Sequence, residues 1–406
     1  MPLQIGKVLA YSVGMSISVL RAHRRAVLGA ALLMAAVLVT LLVACDSGVR
    51  RSGPSRQRLG GSDSSPAPSQ PAAGAPIPTG RSSFALTVAG EKEERTVHLY
   101  RPSGLTGQVP VVVMLHGGYG SGTQAEKSYR WDDAADAGRF LAVFPDGTSR
   151  SWNAGGTCCG PAAGDDVDDV AFLRDVLATL GGRIDVDPRR VFVTGISNGG
   201  AMAYRMACET DLFAAVAAVS TTMLVDCSSA AKASILHIHG IEDKAIRYDG
   251  EQGDPFSRRY PGIDGPPVPE VAAAWRAIDD CPQPSVTVEG VLTTSAAACP
   301  DGRAVELVTI DGAGHQWPGS DAKALTQLLG ADKPSDALDA TTRIWDFFAA
   351  HPAPCAERWE GAPTRYRDRQ PRYQRSRCRT VSNGSREAGR KPVPRVWATG
   401  TSAPWV

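Results

Sequence analysis

The chain has no excess of charge of either sign. Its 43 Lys and Arg against 42 Asp and Glu leave a formal net charge of +1. No global field then draws it to nucleic acid or to another polyanion. Aromatic residues are sparse at 6 %, while the 43 % hydrophobic content is ordinary for a globular protein. No internal repeat is visible, which argues against a solenoid or propeller. The nine cysteines lack metal-ligand spacing with histidine, which speaks against a zinc site. Nothing in the sequence calls for a metal or another cofactor.

The two ends lack the periodicity of a folded domain. At the start, Arg21, His23, Arg24 and Arg25 precede an uncharged Ala/Leu/Val-rich run from Ala26 to Ala44. Leu42-Val43-Ala44-Cys45 closes it. This order describes a secretory signal over residues 1–44 that ends like a bacterial lipobox. Cys45 is then the lipidated mature N-terminus, and acyl chains hold the protein on a membrane surface. An uncleaved membrane anchor is the alternative. The paired arginines loosely resemble a twin-arginine export signal. Either way the remainder is expected outside the cytoplasm, secreted or lipid-anchored to the outer face of the cell membrane. Residues 45–81 are rich in Ser, Pro and Gly and are expected to form a disordered tether. Residues 352–406 are dense in Arg and Pro and are expected to be a disordered basic tail.

With Cys45 set aside, eight cysteines remain in an oxidising setting, where disulfides persist. Cys281 with Cys299 and Cys208 with Cys227 are the candidate pairs. Cys158 and Cys159 are adjacent and could bridge to each other or elsewhere.

Between residues 82 and 351 strand and helix signals alternate. Val109 to Leu115 is a continuous apolar run, as in a strand covered on both faces. Phe140 to Phe144, Val191 to Thr194, Phe213 to Val219, Ile235 to His239 and Val305 to Ile310 are similar. Ser83 to Val88 and Arg95 to Arg101 predict an antiparallel start. Helical spacing marks Trp131 to Gly138, Val167 to Leu180, Gly200 to Cys208, Pro269 to Asp280 and Ala337 to Ala350. This alternation predicts an α/β domain: a mostly parallel central sheet with helices on both faces and its site at the strand carboxyl ends.

One pattern carries chemistry. Gly195-Ile196-Ser197-Asn198-Gly199 follows a strand and precedes a helix, the context of a nucleophile turn. The two glycines leave room for a turn so tight that a side chain there would collide. A serine hydroxyl needs a base, and the base needs an orienting group. In such folds the order is Ser, acid, His. Asp243 follows the strand ending at His239, with Glu242 as its rival. His315 lies in a glycine-rich loop after the strand ending at Ile310. The oxyanion would be met by the Asn198 N–H and by Gly118 or Tyr119 in the loop His116-Gly117-Gly118-Tyr119-Gly120, with Tyr119 preferred.

These segments resemble the polyhydroxybutyrate-depolymerase-type esterases of the α/β-hydrolase superfamily, which include feruloyl and acetylxylan esterases. The likeness spans roughly Phe84 to His351. It rests on Leu115-His116-Gly117-Gly118, Phe144-Pro145-Asp146-Gly147, Trp152-Asn153, Cys158-Cys159-Gly160-Pro161, Val167-Asp168-Asp169-Val170, Gly195 to Met202, His239 to Asp243 and Gly314 to Pro318. It implies an α/β-hydrolase domain over 82–351, a Ser197–His315–Asp243 triad and no metal. It also suggests that Trp152, Asn153 and Trp317 line the substrate pocket. The implied activity is carboxylic ester hydrolysis of hydroxyalkanoate oligomers, feruloyl or aryl esters, or acetylated carbohydrates. A cell-envelope acyltransferase and a non-catalytic binding lipoprotein are the alternatives. The sequence gives no oligomeric state.

Overall fold

The computed structural model describes residues 74–88, 93–156, 158–255, 262–321 and 332–354. The expected signal, Cys45, most of the tether and the tail from 355 onward lie outside these residues. No helix among the described residues is long and apolar enough to cross a membrane.

Among the described residues, ten strands form one sheet, in the order β1-β2-β4-β3-β5-β6-β7-β10-β9-β8. They are β1 Gly80–Leu86, β2 Arg95–Arg101, β3 Val109–Leu115, β4 Leu141–Pro145, β5 Val186–Ile196, β6 Ala215–Val219, β7 Ser234–Gly240, β8 Ser285–Glu289, β9 Leu292–Ala298 and β10 Ala304–Ile310. From β4 across to β10 every neighbouring pair is parallel. Antiparallel strands finish both edges. The helices that position the site are α1 Gly122–Tyr129, α2 Trp131–Gly138, α3 Asp169–Gly181, α4 Asn198–Glu209, α5 Val268–Ile278 and α6 Ala340–Ala350.

The apolar run of β3 is buried throughout, and its side chains divide between two cores. Val111, Val113 and Leu115 join a cluster with Phe172, Tyr204 and Trp275, from α3, α4 and α5. Val112 and Met114 join Trp131, Ile344 and Phe348, from α2 and α6. Helices therefore cover both faces, as the continuous apolar strands predict. Capping sets the helix starts. Asp168 accepts the Ala171 N–H at 2.9 Å to open α3, and Asp339 accepts the Thr342 N–H at 2.9 Å to open α6.

The folded body begins before residue 82. Ile77 is buried, and its carbonyl accepts from Arg101. Its far end is also tied down: the Ala353 N–H donates to the Arg189 carbonyl at 2.8 Å. Cys208–Cys227 and Cys281–Cys299 are bonded as expected, and Cys158 is bonded to Cys159. The excursion between Cys281 and Cys299 is the β8–β9 hairpin.

Candidate active site

Ser197 ends β5 and starts α4. Its backbone stands at φ 57° and ψ −126°, a conformation that non-glycine residues rarely adopt. The turn closes only without side chains beside it. A Cβ on Gly195 would lie 2.3 Å from the Gly199 carbonyl oxygen, and one on Gly199 would lie 2.3 Å from that of Leu115. The Ser197 N–H donates to the Val219 carbonyl, and Thr221 Oγ1 donates to the Ser197 carbonyl, each at 2.9 Å. The strained residue is thus pinned to the end of β6.

Asp243 follows β7 and is 3 % exposed, while its rival Glu242 is exposed. Asp243 Oδ1 accepts the Ala245 and Ile246 amides, each at 2.9 Å. Its Oδ2 meets His315 Nδ1 at 2.8 Å. The loop bearing His315 approaches because β7 ends in glycine. A Cβ on Gly240 would come within 2.3 Å of the Ala313 carbonyl. That carbonyl instead accepts the Glu242 N–H at 2.9 Å.

The electrostatics follow from these contacts. Burial opposes ionisation of Asp243, but the charge and hydrogen bond of His315, His239 nearby and the Ile246 amide outweigh it. The carboxyl sits below its usual range. Burial likewise resists the His315 imidazolium, yet the charge and hydrogen bond of Asp243 and the charge of Asp332 hold it above an ordinary imidazole. Asp332 was not foreseen. Its Oδ2 accepts the His315 N–H at 2.7 Å. It lies 17 residues along the chain, and no local pattern announces it.

Ser197 and His315 line one cavity of ≈ 440 Å³, together with Gly118, Tyr119, Arg150 and Cys159. Tyr119 is 53 % exposed at its wall. His116 holds this side of the cavity. Its Nδ1–H donates to the Gly117 carbonyl at 2.8 Å, and its Nε2 accepts the Gly147 N–H at 3.0 Å.

The structure corrects the preferred second oxyanion donor. The Tyr119 N–H donates to the Arg150 carbonyl at 2.9 Å, so it is already engaged. Gly118 runs beside the serine turn instead, where a Cβ would lie 3.9 Å from Asn198 Cβ. Asn198 starts α4, where the first amides of a helix have no intrahelical acceptor.

The three suggested pocket residues are also placed elsewhere. Trp152 is 0 % exposed and Trp317 1 % exposed, and neither lines the cavity. The Trp152 indole N–H donates to the His116 carbonyl at 2.9 Å. Its backbone is clamped by the Asn198 side chain, whose Oδ1 accepts the Trp152 N–H at 2.7 Å and whose Nδ2 donates to the Trp152 carbonyl at 2.8 Å. Trp317 stacks on Tyr129, and its indole N–H donates to Thr341 Oγ1 at 3.0 Å. The Asn153 N–H donates to Asp169 at 2.6 Å, and its Nδ2 donates to the Val167 carbonyl at 3.0 Å. All three build the frame of the cavity.

A strained serine at the tip of a central parallel strand, with a buried Asp–His pair on later loops, is the arrangement of the α/β-hydrolases. The comparisons with known proteins place the chain among esterases. The family model described as esterase PHB depolymerase matches residues 96–266. NocK of Nocardia uniformis subsp. tsuyamanensis, named as an esterase, is 30 % identical over 240 residues, 55 % of this chain and 69 % of its own. The chain belongs to this esterase family. Feruloyl esterase B of Piromyces equi is 28 % identical over 54 % of this chain and 42 % of its own. Poly(3-hydroxyalkanoate) depolymerase C of Paucimonas lemoignei is 26 % identical over 53 % of this chain and 57 % of its own. The chain thus spans about half the length of these last two relatives. A solved acetyl xylan esterase from Aspergillus awamori aligns over 66 % of this chain and 99 % of its own, at 14 % identity and a TM-score of 0.48.

Proposed function

We propose that the chain hydrolyses carboxylic esters through an acyl-enzyme on Ser197. The observation that carries this reading is the 2.8 Å Asp243–His315 bond beside a strained serine on the same cavity. His315 takes the Ser197 proton as the hydroxyl oxygen attacks the carbonyl carbon. Asp243 keeps the proton of the imidazole on Nδ1 and stabilises the cation that forms. The tetrahedral oxyanion is met by the amides of Asn198 and Gly118. The carbonyl reforms, the C–O bond to the alcohol breaks, and His315 returns the proton to the departing oxygen. Water repeats the cycle and releases the acid.

The substrates are esters of hydroxyalkanoate oligomers, of feruloyl or other aryl acids, or of acetylated carbohydrates. The relatives are named for these classes, and the exposed Tyr119 ring gives the cavity an aromatic wall. The domain is lipid-anchored outside the cytoplasm through Cys45, and a Cys45→Ala chain released into the medium tests that part.

A turnover panel of para-nitrophenyl esters, feruloyl esters and hydroxybutyrate oligomers tests the function. Hydrolysis of at least one class by the wild type, lost in Ser197→Ala, is expected. Transfer to an added alcohol in preference to water would replace hydrolysis with acyl transfer.

A further inference from the structure

Three buried side chains continue the hydrogen bonding beyond the candidate acid. Tyr204 Oη and His237 Nδ1 are 2.7 Å apart. His237 Nε2 and His239 Nδ1 are 3.1 Å apart. His239 Nε2 lies 2.9 Å from the Ile246 carbonyl oxygen and 3.7 Å from Asp243 Oδ2. Tyr204 and His239 are 0 % exposed and His237 is 1 % exposed. None of the three lines the cavity.

The direction of every bond follows from its acceptor. A carbonyl oxygen only accepts, so the proton of His239 sits on Nε2. Burial pushes the His239 imidazole below its usual range, against Asp243 and the Ile246 carbonyl, and pushes His237 well below it. The 3.1 Å contact between the two rings needs one bare nitrogen, and burial favours the neutral form of each. A neutral His239 protonated on Nε2 has a bare Nδ1, which must accept from His237 Nε2–H. His237 Nδ1 is then bare and accepts from Tyr204. Burial also pushes the Tyr204 hydroxyl up, so it keeps its proton. The chain runs one way: Tyr204 to His237, His237 to His239, His239 to the turn that carries Asp243.

Its two ends matter. Tyr204 belongs to α4, the helix that Ser197 begins. Ile246 closes the turn whose amides hold Asp243 Oδ1. Both histidines belong to β7. A buried polar group left without its partner is costly, so each member depends on the next.

We propose that Tyr204, His237 and His239 are positioning residues for ester hydrolysis, a polarised hydrogen-bond chain that fixes the acid's turn relative to the nucleophile's helix. The proposal rests on the Ser197–His315–Asp243 reading above. No member touches the substrate. The chain acts through Asp243, whose placement sets how strongly His315 is held as a base.

Tyr204→Phe tests it, since the ring and its stack on Trp275 survive while the donor is lost. We expect kcat to fall about tenfold with KM changed less than about twofold. Among the described residues, Asp243, Asp332 and His239 are titratable groups facing His315. A displaced Asp243 raises the imidazole less, so the acid limb of kcat/KM moves to lower pH by about half a unit. A purely structural tyrosine would lower the melting temperature and leave both kcat and the limb in place. That result overturns the proposal.

A second pair guards against a folding defect. His239→Gln keeps an N–H donor near the Nε2 position, and His239→Asn does not reach it. The Gln variant should retain several-fold more kcat than the Asn variant, and equal rates overturn the proposal. Wild type and Ser197→Ala are assayed alongside. A wild type with no turnover overturns the hydrolase reading and the chain with it. An active wild type with an unaltered Tyr204→Phe overturns the chain alone.

Discussion

Asp169 and Asp243 are both buried, at 0 % and 3 % exposure; Asp169 is bonded to Arg95 of β2 and Asp243 follows β7, with β5 and its serine between those strands in the sheet. Asp169 pairs with the Arg95 guanidinium and accepts the Asn153 amide. Asp243 faces His315 and accepts two amides of its own turn. Burial dominates at Asp169 and pushes its carboxyl up despite Arg95. At Asp243 the same penalty is outweighed, and the carboxyl goes down. Depth of burial and access separate them. Asp169 sits under the Trp152–Asn153 strip with an arginine that also covers Phe172 at 3.6 Å. Asp243 sits under a histidine on the cavity wall. One carboxyl braces the Trp152–Asn153 strip, and in the proposed function the other conditions a base.

Removing each charge separates these roles most sharply. Asp243→Asn should lower kcat by about 10³–10⁴ through the wrong imidazole tautomer, with the fold intact. Glu242→Gln, an exposed neighbour, should stay within about twofold of wild type by steady-state kinetics. A reversed ranking breaks the assignment. On the other side, Arg95→Met leaves Asp169 without its cation and should cost about 3–5 kcal/mol of stability. Denaturant unfolding reads that loss. The kcat per folded molecule should be largely kept, and a selective collapse of kcat would make Asp169 part of the chemistry.

Smaller effects sharpen the comparison. His315 must be neutral to accept the serine proton, and its neighbours hold it above an ordinary imidazole. The kcat/KM profile should therefore fall as pH drops through a value above the unperturbed imidazole's 6.5. Asp332→Asn removes one of the two charges that raise it. The limb should then move to lower pH by less than about one unit, with activity retained on the plateau. The smallest change is expected from Trp317→Phe, which removes one hydrogen bond to Thr341. A loss of about 1 kcal/mol in stability with an unchanged KM fits a frame residue, and a large KM effect would return Trp317 to the substrate.

Much of this was legible because backbone sterics write themselves into composition. The glycines around Ser197 and the glycine-bracketed His315 are where the structure needs them. The all-apolar strands announced a sheet covered on both faces. Asp243 and Glu242 both follow β7 in the sequence, and it is the structure that shows Asp243 buried against His315 and Glu242 exposed. Other features left weaker marks. Trp152 and Trp317 lie beside site motifs in the sequence, yet their rings turn into the core, and proximity along the chain does not reveal which way a ring faces. Tyr119 was favoured as an oxyanion donor because nothing local shows that Arg150 will take its amide. The helix α1 opens on Gly122 and carries few large apolar residues, so it gave little periodic signal. The strand β8 is exposed along its whole length and pairs with β9, next to the Cys281–Cys299 bond. Asp332, His237 and His239 gain their meaning from contacts across elements, which no spacing rule reaches.

The claim on which the account depends is that Ser197 is the nucleophile. Peptide-mapped mass spectrometry of the protein after treatment with a fluorophosphonate probe addresses it directly. The account predicts a single adduct, on Ser197, formed in step with loss of esterase turnover and absent from Ser197→Ala. Turnover lost with the adduct on another residue, or esters hydrolysed at full rate with Ser197 modified, would contradict it.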